Sequence, residues 1–167
     1  MKKTMIGFGM ALLTAVPAFA QAPAAAPAPQ QDFSKVEIKT TKLGDNFYTL
    51  EGSGGTIGFL AGPDGVFMVD TQYAQLTDKL VAAIKQVTNA PIRFMVNTHV
   101  HPDHTGGNEA MGTAGALIVA HDNVRKRMSS DQFIKLLDWK VAPSPKLALP
   151  TVTFANDVTF HINGDEV

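Results

Sequence analysis

The chain has 167 residues, with 14 Lys+Arg against 15 Asp+Glu and no cysteine. A near-neutral chain without a basic patch is a poor partner for nucleic acid. The absence of cysteine excludes disulfides, thiolate metal ligands and thiol nucleophiles, so the core must suffice alone or with a bound metal.

Residues 1–20 combine Lys2 and Lys3, an apolar run from Met5 to Val16, and Ala18-Phe19-Ala20. This is the three-part pattern of a secretory signal peptide, and the run is shorter than the roughly 20 residues a spanning helix needs. Cleavage after Ala20 would leave a periplasmic or secreted protein with no stable membrane anchor. Residues 21–31, "QAPAAAPAPQQ", read as an extended Ala/Pro/Gln tether. One folded domain is expected over 32–167, long enough for a single core.

Val36 to Gly52 alternates and breaks at Gly44-Asp45, which predicts two strands and a hairpin turn. Thr56 to Gly62 is a further strand, Pro63-Asp64-Gly65 a turn, and Val66 to Asp70 an apolar strand ending in a carboxylate. Tyr73, Leu76, Leu80, Ile84 and Val87 then recur at helical spacing and predict an amphipathic helix. Ile92 to Asn97 is a buried-type strand, a short helix is expected near Gly107, and Ala116 to Ala120 is another strand. "DNVRKRM" starts a helix, with Asp122 near its N-terminus. "SSDQFIKLLDWK" suits a short helix capped by a serine or Asp131. On it Phe133, Ile134, Leu136, Leu137 and Trp139 would pack into the core or form a lid. "VAPSPKLALP" is a loop, and the last segment reads as two short strands around an Asn163-Gly164 turn. The strand due to pair with Thr159 to Ile162 has almost no residues. Strand–helix alternation after a β-rich start predicts a sheet covered by helices, with crevices at the carboxyl ends of its strands.

"NTHVHPDHTGGN", Asn97 to Asn108, lies at one of those ends. It carries His99, His101, Asp103 and His104, three of the chain's five histidines among them. In an extended segment His99, His101 and Asp103 share one side, with His104 turned to a neighbouring direction. Two imidazoles at i and i+2 converge on one ion, and the carboxylate with the next imidazole reaches a second. Nitrogen and oxygen donors suit zinc, and also iron or manganese. Such a site lowers the pKa of bound water to about 7, so a metal-bound hydroxide can attack a carbonyl-type bond. Asp103 would orient, or take a proton from, the attacking water. Pro102 stiffens the link, and Gly106 and Gly107 let the backbone turn tightly. "EGSGGT", Glu51 to Thr56, lacks the lysine of a phosphate loop and reads as a flexible hairpin loop.

"THVHPDHTGG" resembles the HxHxDH motif of the metallo-β-lactamase-fold superfamily. "GVFMVDTQ" is similar to its first motif, a strand ending in aspartate, and Asn108 to Ser129 to the segment that follows HxHxDH in exported hydrolases of the superfamily. The resemblance implies an αββα sandwich, here as an N-terminal half with an incomplete second sheet. It implies His99 and His101 on a first metal, Asp103 and His104 on a second, and Asp70 steadying the metal-binding loop from behind. It makes the glycine loop a flap over substrate. A third histidine, a bridging aspartate and a final histidine would lie downstream, and His121 and His161 fit none of these roles. The expected function is a zinc-dependent hydrolase, with two Zn2+ in the complete protein, acting on a small-molecule β-lactam, ester, thioester or lactone. The alternatives are an iron-dependent sulfur oxidoreductase of the same fold and a non-catalytic metal-binding fragment. The oligomeric state is left open.

Overall fold

A computed structural model describes residues 31–135 and 138–167, without the side chains of Ile134 and Trp139. The expected signal peptide, most of the tether, Leu136 and Leu137 lie outside the described residues. From Asp32 to Val167 the chain forms one compact unit.

Its centre is a seven-stranded mixed sheet in the order β1-β2-β3-β4-β5-β6-β9. Strands β1 (Lys39–Lys42), β2 (Phe47–Glu51), β3 (Ile57–Gly62) and β4 (Gly65–Val69) form an antiparallel meander. Then β5 (Ile92–Asn97), β6 (Leu117–His121) and β9 (Val152–Phe154) add in parallel beside β4. Parallel neighbours need crossovers. Helix α1 (Thr77–Val87) makes the first, and α2 (Pro102–Thr105) with α3 (Asn108–Thr113) the second. The third holds α4 (Asp122–Met128), a hairpin of β7 (Gln132–Ile134) with β8 (Trp139–Val141) and a 3-10 turn at Lys146–Ala148.

Helix α1 is amphipathic as its spacing requires. Leu80 and Ile84 pack with Ile57, Val66, Met68 and Met95 of the sheet, and with Met111 and Ile118, in the main core. The other sheet face carries a smaller cluster of Leu60, Phe67 and Ile162, joined by Phe94 and Phe160. Ile162 arrives there on a short hairpin, β10 (His161–Ile162) with β11 (Asp165–Glu166). Its turn residues Asn163 and Gly164 both have positive φ, +55° and +84°, which a tight two-residue hairpin requires. The few residues after that turn do pair: Phe160 and Val167 exchange both backbone hydrogen bonds.

The helix expected over Ser129 to Lys140 is absent. Gln132–Ile134 forms β7 and pairs antiparallel with β8, Trp139–Val141. Ser129 and Ser130 both turn their hydroxyls back to the Lys126 carbonyl at the end of α4, and Ser130 Oγ accepts from the Gln132 side chain and not from a helix N–H. Aromatic and β-branched residues then favour the extended pairing. Phe133 is 55% exposed, so it is not core.

Candidate metal centre

The C-terminal ends of β4 and β5 lie side by side, because Val69 is in register with Val96. Asp70 follows β4 and the histidine motif follows β5. The chain bends at 98–100, and α2 begins at Pro102, with His101 as its N-cap. Asp103 and His104 therefore sit on a helical turn, not on a continued extended segment. Pro102 occupies the first helical position, where its missing N–H and fixed φ cost nothing. Gly106 and Gly107 also differ from expectation. Gly106 has φ −60° and Gly107 φ −83°, so neither makes a special turn. They allow close packing instead: a Cβ on Gly106 would stand 2.5 Å from the Ala74 backbone nitrogen.

Asp70 organises the site. It is 4% exposed and has φ +64°. Its Oδ1 accepts from the Thr98 backbone N–H at 2.8 Å. Its Oδ2 accepts from the Thr98 hydroxyl at 2.6 Å and from His104 Nδ1 at 2.8 Å. These bonds assign two tautomers. A carboxylate only accepts, so His104 carries a proton on Nδ1, and its neutral form has the lone pair on Nε2. The Thr98 hydroxyl spends its one proton on Asp70, so it must accept from His99 Nδ1, 3.0 Å away. His99 then also presents an Nε2 lone pair. Orientation of this kind by a carboxylate behind the ligand is what metal-binding histidines need.

The remaining donor atoms contact one another in pairs, and with His99 Nε2 as acceptor the first contact is a hydrogen bond from His101 Nδ1–H. His99 Nε2 is 3.2 Å from His101 Nδ1. His104 Nε2 is 3.4 Å from Asp103 Oδ2. Two ligands of one tetrahedral zinc, each at about 2.0–2.1 Å, stand about 3.3 Å apart. Both separations match that edge, and the His99 and His104 ring centroids are 4.0 Å apart, so the pairs adjoin. Each pair therefore offers one edge of a zinc tetrahedron, at a separation that also suits the hydrogen-bond and ion-pair contacts made without metal. Among the described residues no group of three or more converges as a ready-made cage. Burial of the His99 ring, then the proximity of His104 and His101, lowers its pKa from the ordinary histidine value and favours the neutral form a metal requires.

A buried polar network beneath the loop was missed in the sequence. Thr71 donates its backbone N–H to the His104 carbonyl at 2.9 Å and accepts from Gly107 N–H at 3.0 Å. Asn97 and Asn108 exchange amide hydrogen bonds at 2.8 and 3.1 Å, and Asn108 also donates to the Ala148 carbonyl. The available signal was polar residues closing otherwise apolar strands, Asn97 after "IRFMV" and Thr71 after "VFMVD".

The other two histidines stand apart from this centre. His121 accepts from Asn123 N–H and bonds the Ala155 carbonyl through Nε2, so both nitrogens are engaged in capping α4 and holding the segment after β9. His161 is exposed and lies 3.8 Å from Glu166. The glycine loop at 52–55 is also not free. Gln72 holds it against the centre through Ser53 and Gly55.

The sequence profile of the metallo-beta-lactamase superfamily matches residues 50–166. A linear primary-alkylsulfatase of Pseudomonas sp. is 37% identical over 49 residues, 29% of this chain and 9% of its own length. The fold is similar to that of a metallo-beta-lactamase from Cronobacter sakazakii (16% identity, TM-score 0.67, covering 78% of this chain and 51% of that one). It is similar to BJP-1, a subclass B3 metallo-beta-lactamase of Bradyrhizobium japonicum (22% identity, TM-score 0.64, 78% and 50% covered). It is also similar to the class B3 di-zinc enzyme LRA-12 from an Alaskan soil metagenome (15% identity, TM-score 0.67, 84% and 54% covered). At such identities the likeness is one of fold. The chain spans about half the length of these solved relatives.

Proposed function

We propose that this chain, which belongs to the metallo-beta-lactamase superfamily, carries the metal-binding loop of an exported, zinc-dependent hydrolase of carbonyl-type bonds. The observation that carries the reading is the pair of facing nitrogens, His99 Nε2 and His101 Nδ1 at 3.2 Å, with the His99 tautomer fixed through Thr98 and Asp70. His99 and His101 would hold one zinc ion, and Asp103 and His104 a second. Zinc supplies Lewis acidity when bound, acidifying water and polarising a carbonyl. The chain's own residues do the rest. Asp70 keeps the His104 and His99 lone pairs turned into the site. Asp103, whose side chain is 30% exposed, can accept a hydrogen bond from an entering water and hold its proton. The Asn97–Asn108–Thr71 network keeps the loop from relaxing when substrate arrives.

Export rests on the pattern of residues 1–20, and N-terminal sequencing of the protein recovered from a periplasmic fraction tests it. Among the described residues no helix is long and apolar enough to cross a membrane. Activity is tested by assaying purified protein against a β-lactam, an ester, a thioester and a lactone, with zinc and with a chelator. A primary alkyl sulfate joins the panel because of the 49-residue match to an alkylsulfatase. Zinc-dependent turnover of any carbonyl substrate supports the reading. Iron in place of zinc on metal analysis, with oxidation of a sulfur substrate, would replace it with a metal-dependent oxidoreductase.

A further inference from the structure

Three consecutive side chains act on one histidine. Asp70 takes the His104 ring, and the Thr71 hydroxyl lies 3.0 Å from the His104 carbonyl. Gln72 reaches the far side of the ring through the glycine loop. Gln72 is fully buried at φ +52°, a left-handed conformation a glutamine rarely adopts. Its amide engages both polarities of the loop: Nε2 donates to the Gly55 carbonyl at 2.5 Å, and Oε1 accepts from Ser53 N–H at 3.3 Å. The loop so held rests directly on the second donor pair. A Cβ on Gly55 would stand 2.5 Å from His104 Cε1 and 3.1 Å from its Nε2, and one on Gly54 would stand 2.7 Å from the Asp103 Cβ. Gly54 also has φ +92°. Only a backbone without side chains can lie there.

We propose that Gln72 and the Gly54–Gly55 backbone form a latched positioning strap for the second metal position. The His104 ring is clamped between Asp70 at Nδ1 and the strap across Cε1, which keeps Nε2 turned toward Asp103. The proposal rests on the reading that Asp103 and His104 hold a metal. It differs from a free flap, since lifting the loop requires breaking both Gln72 bonds. It also predicts selectivity, because the strap touches the Asp103–His104 pair.

The test uses the full chain with 15N-labelled histidine and the variants Gly55→Ala, Gln72→Ala and Gln72→Glu. The last keeps an acceptor for Ser53 N–H and loses the donor to the Gly55 carbonyl. Long-range proton–nitrogen spectra of the metal-free protein report each tautomer, and competition with a chelator reports each zinc equivalent. In wild type, read at a pH where the ring is neutral, His104 is expected as the Nδ1–H tautomer. In Gly55→Ala and Gln72→Ala it becomes a mixture, while His121, held by Asn123 and Ala155, keeps its pattern. The second zinc equivalent weakens at least tenfold, the first stays within twofold, and Gln72→Glu falls between. Unchanged His104 spectra in both alanine variants would overturn the strap. So would loss of the His121 pattern with equal weakening of both equivalents, which would make Gln72 a general structural residue. A wild-type chain that takes one zinc equivalent would refute the second metal position, and the tautomer spectra would still decide whether the clamp exists.

Discussion

Asp70→Asn removes one charge and almost no volume. Asparagine tolerates the left-handed conformation at φ +64° well, so the backbone is undisturbed and the effect isolates the side chain. The amide oxygen can still accept from Thr98 N–H, as Oδ1 does at 2.8 Å. The NH2 group then faces two former donors, the Thr98 hydroxyl and His104 Nδ1–H. A hydrogen bond to a charged group contributes about 1.5–3 kcal/mol, and two are lost. The hydroxyl can rotate and the imidazole can change tautomer, which recovers part of the loss. The expected destabilisation is about 2–4 kcal/mol, read by denaturant unfolding of the metal-free protein with an unchanged m-value. The same rearrangement moves the His104 proton to Nε2 and releases Thr98 from its donor role toward Asp70. Zinc affinity should fall about 10- to 100-fold, as it does when partners behind a ligand are removed. A variant within about 0.5 kcal/mol of wild type, with unaltered zinc affinity, would refute the claim that Asp70 organises the centre.

His101→Ala should abolish metal-dependent hydrolysis in any active form of the protein and weaken the first zinc equivalent; full turnover would refute its ligand role. Asn108→Ala leaves the Ala148 carbonyl and a buried Asn97 without their partner and should cost about 2–4 kcal/mol, with a coupling above about 1 kcal/mol in a double-mutant cycle with Asn97. Leu80→Ala opens a cavity where α1 meets the sheet and should cost about 2–5 kcal/mol by the same unfolding measurement. The lowered pKa of His99 also sets a direction with pH. The folded chain binds this proton less readily than the unfolded chain, whose histidine titrates near 6.5. The contribution is therefore complete above that pH and is lost as pH falls through the folded pKa. Metal-free stability should decline on acidification, and less so in His99→Gln; an equal decline in both would contradict the assignment.

The meander, α1 and the parallel strands were legible because each has one strong period and is bounded by strong turn residues. The histidine motif was legible as a cluster of nitrogen and oxygen donors but not as geometry. Pro102 at the first helical position and Asp103 in the first turn were a local helix-start signal, but the alternation reading passed over it, and the Gly106 packing against Ala74 that holds the turn is not local to the motif. The segment after α4 failed for a related reason. Its apolar spacing fits a helix, but the capping serines are drawn to the Lys126 carbonyl by contacts a periodicity does not contain. Gln72 and Thr71 were invisible because their partners lie 17 to 37 positions away along the chain.

Crystals of the zinc-loaded protein, measured at the zinc absorption edge, would locate the bound ions. An anomalous peak bounded by His99 Nε2 and His101 Nδ1 is expected, with a second against Asp103 Oδ2 and His104 Nε2. No peak at these atoms, or zinc held by His121 or His161 instead, would contradict the ligand assignment.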